Sequence, residues 1–396
     1  MPVQDLITSQ LPLTTDLRHR LHQIPELGYH EFKTAAAIRA ELTRLNIPFT
    51  VGVEGAPTAT IAHVGDLSKP CIALRADIDA LPITEQTGLP YASTHPGFMH
   101  ACGHDGHTAT LLGVAAVLKT LIQQGGLNVC VKLMWQPAEE GGGGAEKLVQ
   151  AGVLDGRIGP KAQAVFGLHG WPGLKVGTVA TKAGALLAAT DTWTAKFIGK
   201  GCHAAFPHTG NDPIVTACEA VLNLQQFVAR EVNPVEPAVI TVGMFNAGTA
   251  ENIIPDSATI AGTARTLTPA LRVKIRESIQ RRCRGIAQAN ACELQFDWCE
   301  GYPPTINDPA MTDYLAKVAK SALGPDHFFL APLPCMGGED FAYYLEKIPG
   351  CFFLVGVEPA DSAGYPSLHS DRYNFTDAAM GVGMRMFVEL IRNWSA

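Results

Sequence analysis

Five side chains that can bind transition metals lie within nine residues in the first third of the chain. The segment 99–107 reads MHACGHDGH and holds three histidines, one cysteine and one aspartate. Neutral imidazole and thiolate are good ligands for first-row divalent metals. Cys102 and His104 are one residue apart, so an extended turn can direct both to the same side. The alternative is a polar loop that only caps the following helix through Asp105 or His104.

Two adjacent carboxylates, Glu139 and Glu140, precede four glycines in the sequence QPAEEGGGG. Such a pair suits a division of labour in which one carboxylate binds metal and its neighbour takes a proton from water. Four glycines cost conformational entropy, and close backbone approach to a ligand or helix is one reason to keep them. A solvated loop is the alternative. A phosphate-binding loop is not expected, because no Lys-Ser or Lys-Thr follows the glycines.

Further polar clusters follow predicted strands. Asp77 and Asp79 lie in RADIDALP (75–82), and His169 lies in GLHGWP (167–172). Open α/β sheets bind ligands at the carboxyl ends of their strands, so these loops can converge on one crevice. Glu339-Asp340 and His369 come much later, and a late histidine in a polar loop is compatible with a distant ligand.

A cysteine-nucleophile hydrolase is the competing chemistry. It would use Cys102 as the thiolate and a histidine as the base. This scheme leaves the carboxylate pair 139–140 and His169 without roles, and we therefore favour metal-assisted hydrolysis.

The elements that must position these residues alternate between strands and helices. Apolar runs of strand length lie at 59–64, 71–76, 127–135, 162–168 and 351–356. Helical patterns lie at 13–45 (interrupted at Pro25), 107–124, 146–150, 311–322 and 376–394. This alternation predicts an α/β domain with a mostly parallel sheet flanked by helices on both faces.

The middle of the chain has a different pattern. Strands at 191–198, 238–246, 258–266 and 292–299 combine with helices at 213–230 and 269–289 in the order βαββαβ. Thr268 and Pro269 are typical of a helix start. The order matches a ferredoxin-like α+β unit. We therefore predict a catalytic domain of residues 1–183 and 300–396, interrupted by an inserted smaller domain of residues 184–299.

The composition narrows the class of protein. The 396 residues carry a formal net charge of −7, which argues against a nucleic-acid partner. No apolar run approaches the roughly 20 residues of a membrane span, and the N-terminus lacks the pattern of a secretory signal. Ten cysteines without a CxxC pair indicate reduced thiols. We expect a cytoplasmic protein with no membrane partner.

Together these motifs resemble the M20 metallopeptidases, in particular the branch of N-acyl-amino-acid amidohydrolases that includes hippurate hydrolases and the auxin-conjugate hydrolases of plants. The resemblance covers almost the whole chain. Besides the motifs above, it rests on HQIPELG (22–28), GKGCHAAFPH (199–208), GTAENIIP (248–255), GTAR (262–265) and GGEDFA (337–342).

The resemblance implies two divalent metal ions, with zinc, manganese, cobalt and nickel all suited to the mixed ligands. The implied metal ligands are Cys102, which bridges the ions, His104, Glu140, His169 and His369. The implied general base is Glu139, and His203 is implied to stabilise the oxyanion. Asn252 and Arg265 are implied to bind substrate, and Asp77 and Asp79 to hold the ligand loops from behind. One departure is that these proteins usually have His-x-Pro at the last histidine, where this chain has His369-Ser370-Asp371.

The expected reaction is metal-dependent hydrolysis of N-acetyl, N-benzoyl or aromatic acyl amino acids to a carboxylic acid and a free amino acid. A dipeptidase or carboxypeptidase of the same mechanism is the alternative. A non-catalytic metal-binding scaffold is the alternative of another class. The resemblance also implies that the inserted domain of residues 184–299 is a lid or dimerisation domain. It further implies a homodimer or homotetramer, in which the histidine of the inserted domain serves its own or a neighbouring subunit.

Overall fold

The structure is a computed structural model that describes residues 2–125, 127, 129–331, 334–362 and 364–394. The chain forms two compact units. The larger comprises Met1–Gly184, Ile306–Leu333 and Asp340–Ala396, and the smaller comprises Ala185–Thr305 and Pro334–Glu339. The smaller unit is therefore an insertion in the sequence of the larger one.

The helices of the described residues are α1 Val3–His22, α2 Phe32–Arg44, α3 His104–Gln123, α4 Gly144–Ala151, α5 Pro213–Arg230, α6 Pro269–Ala289, α7 Pro309–Leu323, α8 Ala342–Leu345 and α9 Asp377–Arg392. The strands are β1 Phe49–Val53, β2 Ala56–Gly65, β3 Cys71–Asp77, β4 Cys130–Gln136, β5 Ala162–Lys175, β6 Val179–Thr181, β7 Gly184–Leu187, β8 Ala189–Ile198, β9 Cys202–His203, β10 Ala238–Ala247, β11 Ile253–Ile254, β12 Ser257–Thr266, β13 Glu293–Cys299, β14 Thr305–Asn307, β15 Phe328–Leu330 and β16 Gly350–Glu358. Short 3-10 turns lie at Pro207–Thr209 and Pro325–His327.

The larger unit is built on an eight-stranded sheet with the order β1-β2-β4-β3-β5-β16-β6-β15. Its central strands β4, β3, β5 and β16 are parallel to one another. Antiparallel pairing appears between β1 and β2, between β2 and β4, and between β16 and β6. Strands β3 and β4 are buried along their whole length, which is typical of a parallel sheet covered on both faces. The predicted mostly parallel sheet is confirmed.

Helices cover both faces of this sheet. Phe166 on β5 contacts the rings of Tyr314 on α7 and Trp394 just after α9. Consecutive strand residues point to opposite faces. A Cβ on the next residue, Gly167, would lie 2.7 Å from the ring of Phe341, which directly precedes α8. The glycine therefore lets that aromatic residue pack closely against the second face.

The smaller unit has the predicted ferredoxin-like fold. Its four-stranded sheet has the order β10-β12-β8-β13, and the neighbouring strands are antiparallel. Buried residues alternate with more exposed ones along β8, as expected for a sheet with one covered face. Helices α5 and α6 contribute their apolar side chains to the core of this unit.

Helix starts follow ordinary capping chemistry. Thr268 caps α6 through a hydrogen bond from the Leu271 backbone N–H to its hydroxyl oxygen, as its sequence position predicts. Several predicted boundaries were wrong, including the end of β5, which was predicted at residue 168 and lies at Lys175. The first helix begins at Val3 rather than near residue 13 and continues through Pro12, and α3 begins at His104 rather than His107. Gly126, predicted to end α3, lies outside the described residues. Among the described residues, no helix is both long enough and apolar enough to cross a membrane.

Candidate metal centre

The loop that carries Cys102 and His104 ends directly in helix α3. Gly103 caps the helix with a φ of 88°, a left-handed conformation that glycine adopts at little cost. A Cβ on Gly103 or Gly106 would lie 2.9 or 2.4 Å from the ring of Phe375. The glycines therefore allow this aromatic ring to support the loop from behind.

His104 presents to the site one ring nitrogen that makes no hydrogen bond and lies 3.7 Å from Asp77 Oδ2. Its Nδ1 lies 3.1 Å from Asp79 Oδ1, so Nδ1 carries the proton and donates a hydrogen bond to the carboxylate. The Nε2 atom is buried and makes no hydrogen bond. A buried polar atom without a partner is costly, whereas a neutral imidazole with a lone pair on Nε2 is a good metal ligand.

His169 has the same arrangement. Its Nδ1 lies 2.7 Å from the backbone oxygen of Gly170 and donates to it. Its Nε2 lies 3.3 Å from Cys102 Sγ. Both histidines therefore use Nδ1 to fix the ring and leave Nε2 directed towards the same region.

The second group of side chains involves the late histidine. His369 Nε2 lies 3.1 Å from Glu140 Oε1. His369 has a φ of 64°, and its backbone N–H donates to the Ala101 oxygen at 2.9 Å. This bond ties the late loop to the ligand loop of residues 99–107. It fixes the position of His369 in a chain that lacks the usual proline.

The five predicted ligands form two groups that share Cys102. The candidate ligand atoms of Cys102, His104 and His169 lie within 4.8 Å of one another, and so do those of Cys102, Glu140 and His369. The first group offers one sulfur and two nitrogen donors, and the second offers sulfur, oxygen and nitrogen, which suits several first-row divalent ions. The residues present therefore fit two metal ions with a shared thiolate.

Glu139 lies beside this cluster. The residue is only 6 % exposed, and its carboxylate lies within 4.8 Å of ligand atoms of His104 and Glu140. The loop that carries both glutamates is anchored at its centre, where the Glu140 backbone N–H donates to Asp79 Oδ2 at 2.9 Å. Asp79 therefore contacts both His104 and the glutamate loop.

Asp77 anchors the site through His107. His107 Nδ1 lies 2.6 Å from Asp77 Oδ1, and His107 Nε2 accepts a hydrogen bond from the Gly170 backbone N–H at 2.8 Å. Both ring nitrogens are occupied, so His107 orients the neighbouring strand end, which carries His169, and is not a metal ligand. Arg75 pairs with Asp77 Oδ2 at 2.7 Å and holds the carboxylate in place.

Without cations the carboxylates around the site give it an excess of negative charge. Burial alone would lower the pKa of His104, but Asp77 and Asp79 outweigh it and raise the pKa to about 10. Burial and the neighbouring His107 hold the pKa of His169 well below its usual range. His104 thus attracts a proton where a metal ion would supply the positive charge. His169 is neutral and can coordinate a metal ion directly.

The environment of Cys102 opposes its use as a free nucleophile. Burial, followed by the charges of Glu140 and Glu139, raises the pKa of the thiol well above its ordinary value. A catalytic cysteine needs the opposite shift. A nearby divalent ion would reverse it, because a coordinating thiol is deprotonated.

Two of the predicted substrate residues are neighbours within the smaller unit. His203 on β9 pairs in register with Ile253 on β11, and the Ala204 backbone N–H donates to the Asn252 oxygen at 3.0 Å. His203 and Asn252 both line a cleft of about 610 Å³. These two side chains therefore share one surface of that unit.

Arg265 lies on β12 in the same unit and is half-buried. Among the described residues its guanidinium makes one hydrogen bond, to the Ala264 oxygen at 3.1 Å. Burial lowers the pKa of Arg265, while Asp191 opposes this effect. A half-buried guanidinium held by one carbonyl keeps donors available for a carboxylate.

A buried ionic network behind the ligand loop was not predicted from the sequence. Asp105, the residue after His104, accepts from Arg18 Nε at 2.9 Å and from His22 Nδ1 at 2.9 Å. Arg18 also pairs with Asp377 at 2.5 Å. The sequence signal was limited to His22 in the 22–28 motif, because the partners are far apart in the chain.

The glutamate loop has further anchors that the sequence did not indicate. Asp340 Oδ2 accepts from the Ala145 backbone N–H at 2.9 Å, and Asp340 Oδ1 accepts from Arg75 at 2.9 Å. At the start of the loop, Glu31 Oε1 accepts from the Ala138 backbone N–H at 2.9 Å. Together with Asp79, which accepts from the Glu140 backbone N–H, carboxylates from three separate segments hold the backbone of residues 138–145.

The fold and the site together define a class of metal-dependent hydrolase: ligand groups that share a thiol lie beside a buried carboxylate at the carboxyl ends of parallel strands. The model of "Peptidase family M20/M25/M40" matches residues 73–393, and the chain belongs to this family. The predicted resemblance is thereby confirmed.

Individual relatives are amidohydrolases. The chain is 43 % identical over 360 residues to N-acetyl-L-cysteine deacetylase of Bacillus subtilis (strain 168), and the matched region covers 90 % of this chain and 83 % of that protein. It is 38 % identical over 378 residues to IAA-amino acid hydrolase ILR1-like 4 of Arabidopsis thaliana, covering 94 % and 84 %. The crystal structure of the YXEP protein of Bacillus subtilis, a dinuclear metal binding peptidase from the M20 family, matches with a TM-score of 0.83 and 35 % identity over 97 % of this chain and 98 % of that one.

Proposed function

We propose that this enzyme hydrolyses the amide bond of N-acyl amino acids and releases a carboxylic acid and a free amino acid. The observation that carries the proposal is the pair of ligand groups that share Cys102, with Glu139 beside them. Relatives named for the removal of acetyl groups and for the hydrolysis of IAA-amino acid conjugates support this substrate class. A dipeptidase or carboxypeptidase activity of the same mechanism is the second candidate, since the family is named as peptidases.

We assign one ion to Cys102, His104 and His169, and the other to Cys102, Glu140 and His369. Bound divalent ions would polarise the amide carbonyl and lower the pKa of a water molecule. Zinc, manganese, cobalt and nickel all suit these ligands.

Glu139 is the proposed general base. It accepts a proton from the attacking water and later delivers it to the leaving nitrogen. Its burial beside His104 keeps bulk water from competing for this proton. Asp77 and Asp79 keep the histidine rings in the orientation and tautomer that the reaction needs.

The proposed roles of the smaller unit concern substrate binding. His203 stabilises the oxyanion of the tetrahedral intermediate. Asn252 and Arg265 bind the carboxylate of the amino acid, with the planar guanidinium suited to two parallel hydrogen bonds. We further propose a small-molecule substrate, assembly as a homodimer or homotetramer, and a cytoplasmic location. All ten cysteines are free, which supports a reducing compartment.

The test compares wild type with Glu139→Gln on N-acetyl, N-benzoyl and aromatic acyl amino acids and on dipeptides. We expect Glu139→Gln to retain its metal and to lose about 10²–10⁴-fold in kcat, the usual contribution of a general base. Chelation should abolish activity, and divalent metal should restore it. An active Glu139→Gln variant would refute the assigned base. Hydrolysis that survives chelation but not thiol alkylation would favour a cysteine nucleophile, and metal binding without turnover would favour a scaffold.

A further inference from the structure

The segment after the 22–28 motif contacts the glutamate loop through Glu31 and Tyr29. Glu31 is fully buried. Its Oε1 accepts the Ala138 backbone N–H at 2.9 Å, and its Oε2 accepts the Thr58 hydroxyl at 2.7 Å. The carboxylate thus bridges strand β2 and the residue directly before Glu139.

Ala138 has a conformation that needs external support. Its φ is 53°, a left-handed value that is unfavourable for a residue with a Cβ. Its methyl group is confined between two glycines, because a Cβ on Gly28 or Gly142 would lie 3.0 or 2.6 Å from it. Larger residues at either glycine would displace Ala138 and the side chain that follows it.

Tyr29 makes a second contact with the same loop. Its hydroxyl donates to the Gly142 oxygen at 2.6 Å, and its own φ is 64°. The segment 28–31 therefore contacts the loop both before and after Glu139 and Glu140. On the ligand side, the Glu140 N–H is fixed separately by Asp79.

We propose that Glu31, together with Tyr29, is a positioning residue for the hydrolysis, because it fixes the backbone from which Glu139 extends. This inference rests on the proposed function of Glu139. Glu31 contacts neither the ligand atoms nor the substrate in this scheme. It acts by holding Ala138 in its left-handed conformation, so that the base stays directed towards the water it deprotonates.

The experiment uses the metal-loaded enzyme and three variants. Glu31→Ala removes both hydrogen bonds. Glu31→Gln keeps an oxygen for Ala138 and offers an amide to the Thr58 hydroxyl, so it is the conservative rescue. Thr58→Val is the matched control, because it removes the other hydrogen bond of Glu31 and leaves the one from Ala138. The measurements are kcat and KM for an N-acetyl amino acid, metal content, and hydrogen exchange of the 136–145 peptide.

We expect Glu31→Ala to lower kcat about 10- to 100-fold, as a displaced catalytic group does, while KM changes little. Exchange in the 136–145 peptide should accelerate with the metal retained. Glu31→Gln should restore both values, and Thr58→Val should keep wild-type kcat. If Glu31→Ala does not fold, Tyr29→Phe tests the same loop and should accelerate the same exchange and lower kcat.

The proposal is overturned if Glu31→Ala keeps wild-type kcat and exchange, or if Thr58→Val loses as much kcat as Glu31→Ala. In the latter case the effect is a general loosening of the core. Failure of the proposed function gives a different result: Glu139→Gln would then keep wild-type kcat, while the exchange of the loop in the Glu31 variants would still report whether Glu31 holds Ala138.

Discussion

The stability of Glu31→Gln relative to wild type should increase as the pH rises. Burial raises the pKa of the Glu31 carboxyl from an ordinary 4.5 to about 7, although the hydrogen bond from Thr58 opposes the shift. A difference of roughly 2.5 pKa units corresponds to about 3 kcal/mol at ~1.4 kcal/mol per unit. The free energy of unfolding falls by about this amount when the buried Glu31 carboxyl ionises.

The direction of the effect follows from proton binding. Between the ordinary pKa and the raised pKa, the folded protein keeps a proton that the unfolded chain releases. Stability therefore falls as the pH rises through this window, and the full penalty is present above about pH 7. Glutamine does not ionise, so the variant escapes the penalty and keeps an acceptor for Ala138.

The measurement is the urea dependence of unfolding for chelator-treated wild type and Glu31→Gln at pH 5 and pH 8. The difference in unfolding free energy should grow by about 2–3 kcal/mol in favour of the variant between these pH values. Glu54→Gln, which removes an exposed carboxylate, is the control for the loss of a charge. An equal pH dependence in wild type and Glu31→Gln would refute the inference that Glu31 is buried as the structure shows.

Three further predictions concern the surroundings of the metal ligands. His107→Ala should lower metal affinity by about 10–100-fold although no ligand changes, and competition with a chelator measures this; unchanged affinity would contradict the role of His107. Asp105→Ala should cost about 3–5 kcal/mol in urea denaturation, because it leaves the buried charges of Arg18 and His22 without their shared partner; a loss below about 1 kcal/mol, the value of an exposed pair, would argue against a buried network. Metal-free enzyme should react slowly with iodoacetamide at Cys102 at neutral pH, since the pKa of this thiol is raised; rapid alkylation, read by mass spectrometry, would show a reactive thiolate instead.

The sequence was sufficient to propose a set of ligands but not their geometry. The dense cluster of histidine and cysteine before a helix pattern pointed to Cys102 and His104, and the family resemblance added Glu140. Which nitrogen of His104 faces the site depends on its contact with Asp79. That contact joins two segments that are separate in the sequence, so local pattern could not predict the tautomer.

Glu31 and Ala138 show where sequence reasoning fails for a physical reason. Glu31 lies in a helical pattern, where a single glutamate is ordinarily a solvated residue. Only the fold places it beneath the glutamate loop. A positive φ is expected of glycine rather than alanine, so the conformation of Ala138 has no local signal. Both features depend on tertiary contacts that override local preference.

Two anchors of the site share one design, in which a carboxylate at a strand end fixes an imidazole through its Nδ1 atom. Asp77 and Asp79 lie at the end of β3 and directly after it, between neighbouring parallel strands. Asp77 acts through His107, which orients the strand end that carries His169. Asp79 fixes the ring of His104, so that His104 Nε2 needs little reorganisation on metal binding. Such an arrangement concentrates negative charge that only cations offset. Changes at Asp77 or Asp79 should therefore affect metal binding before they affect the fold of the sheet.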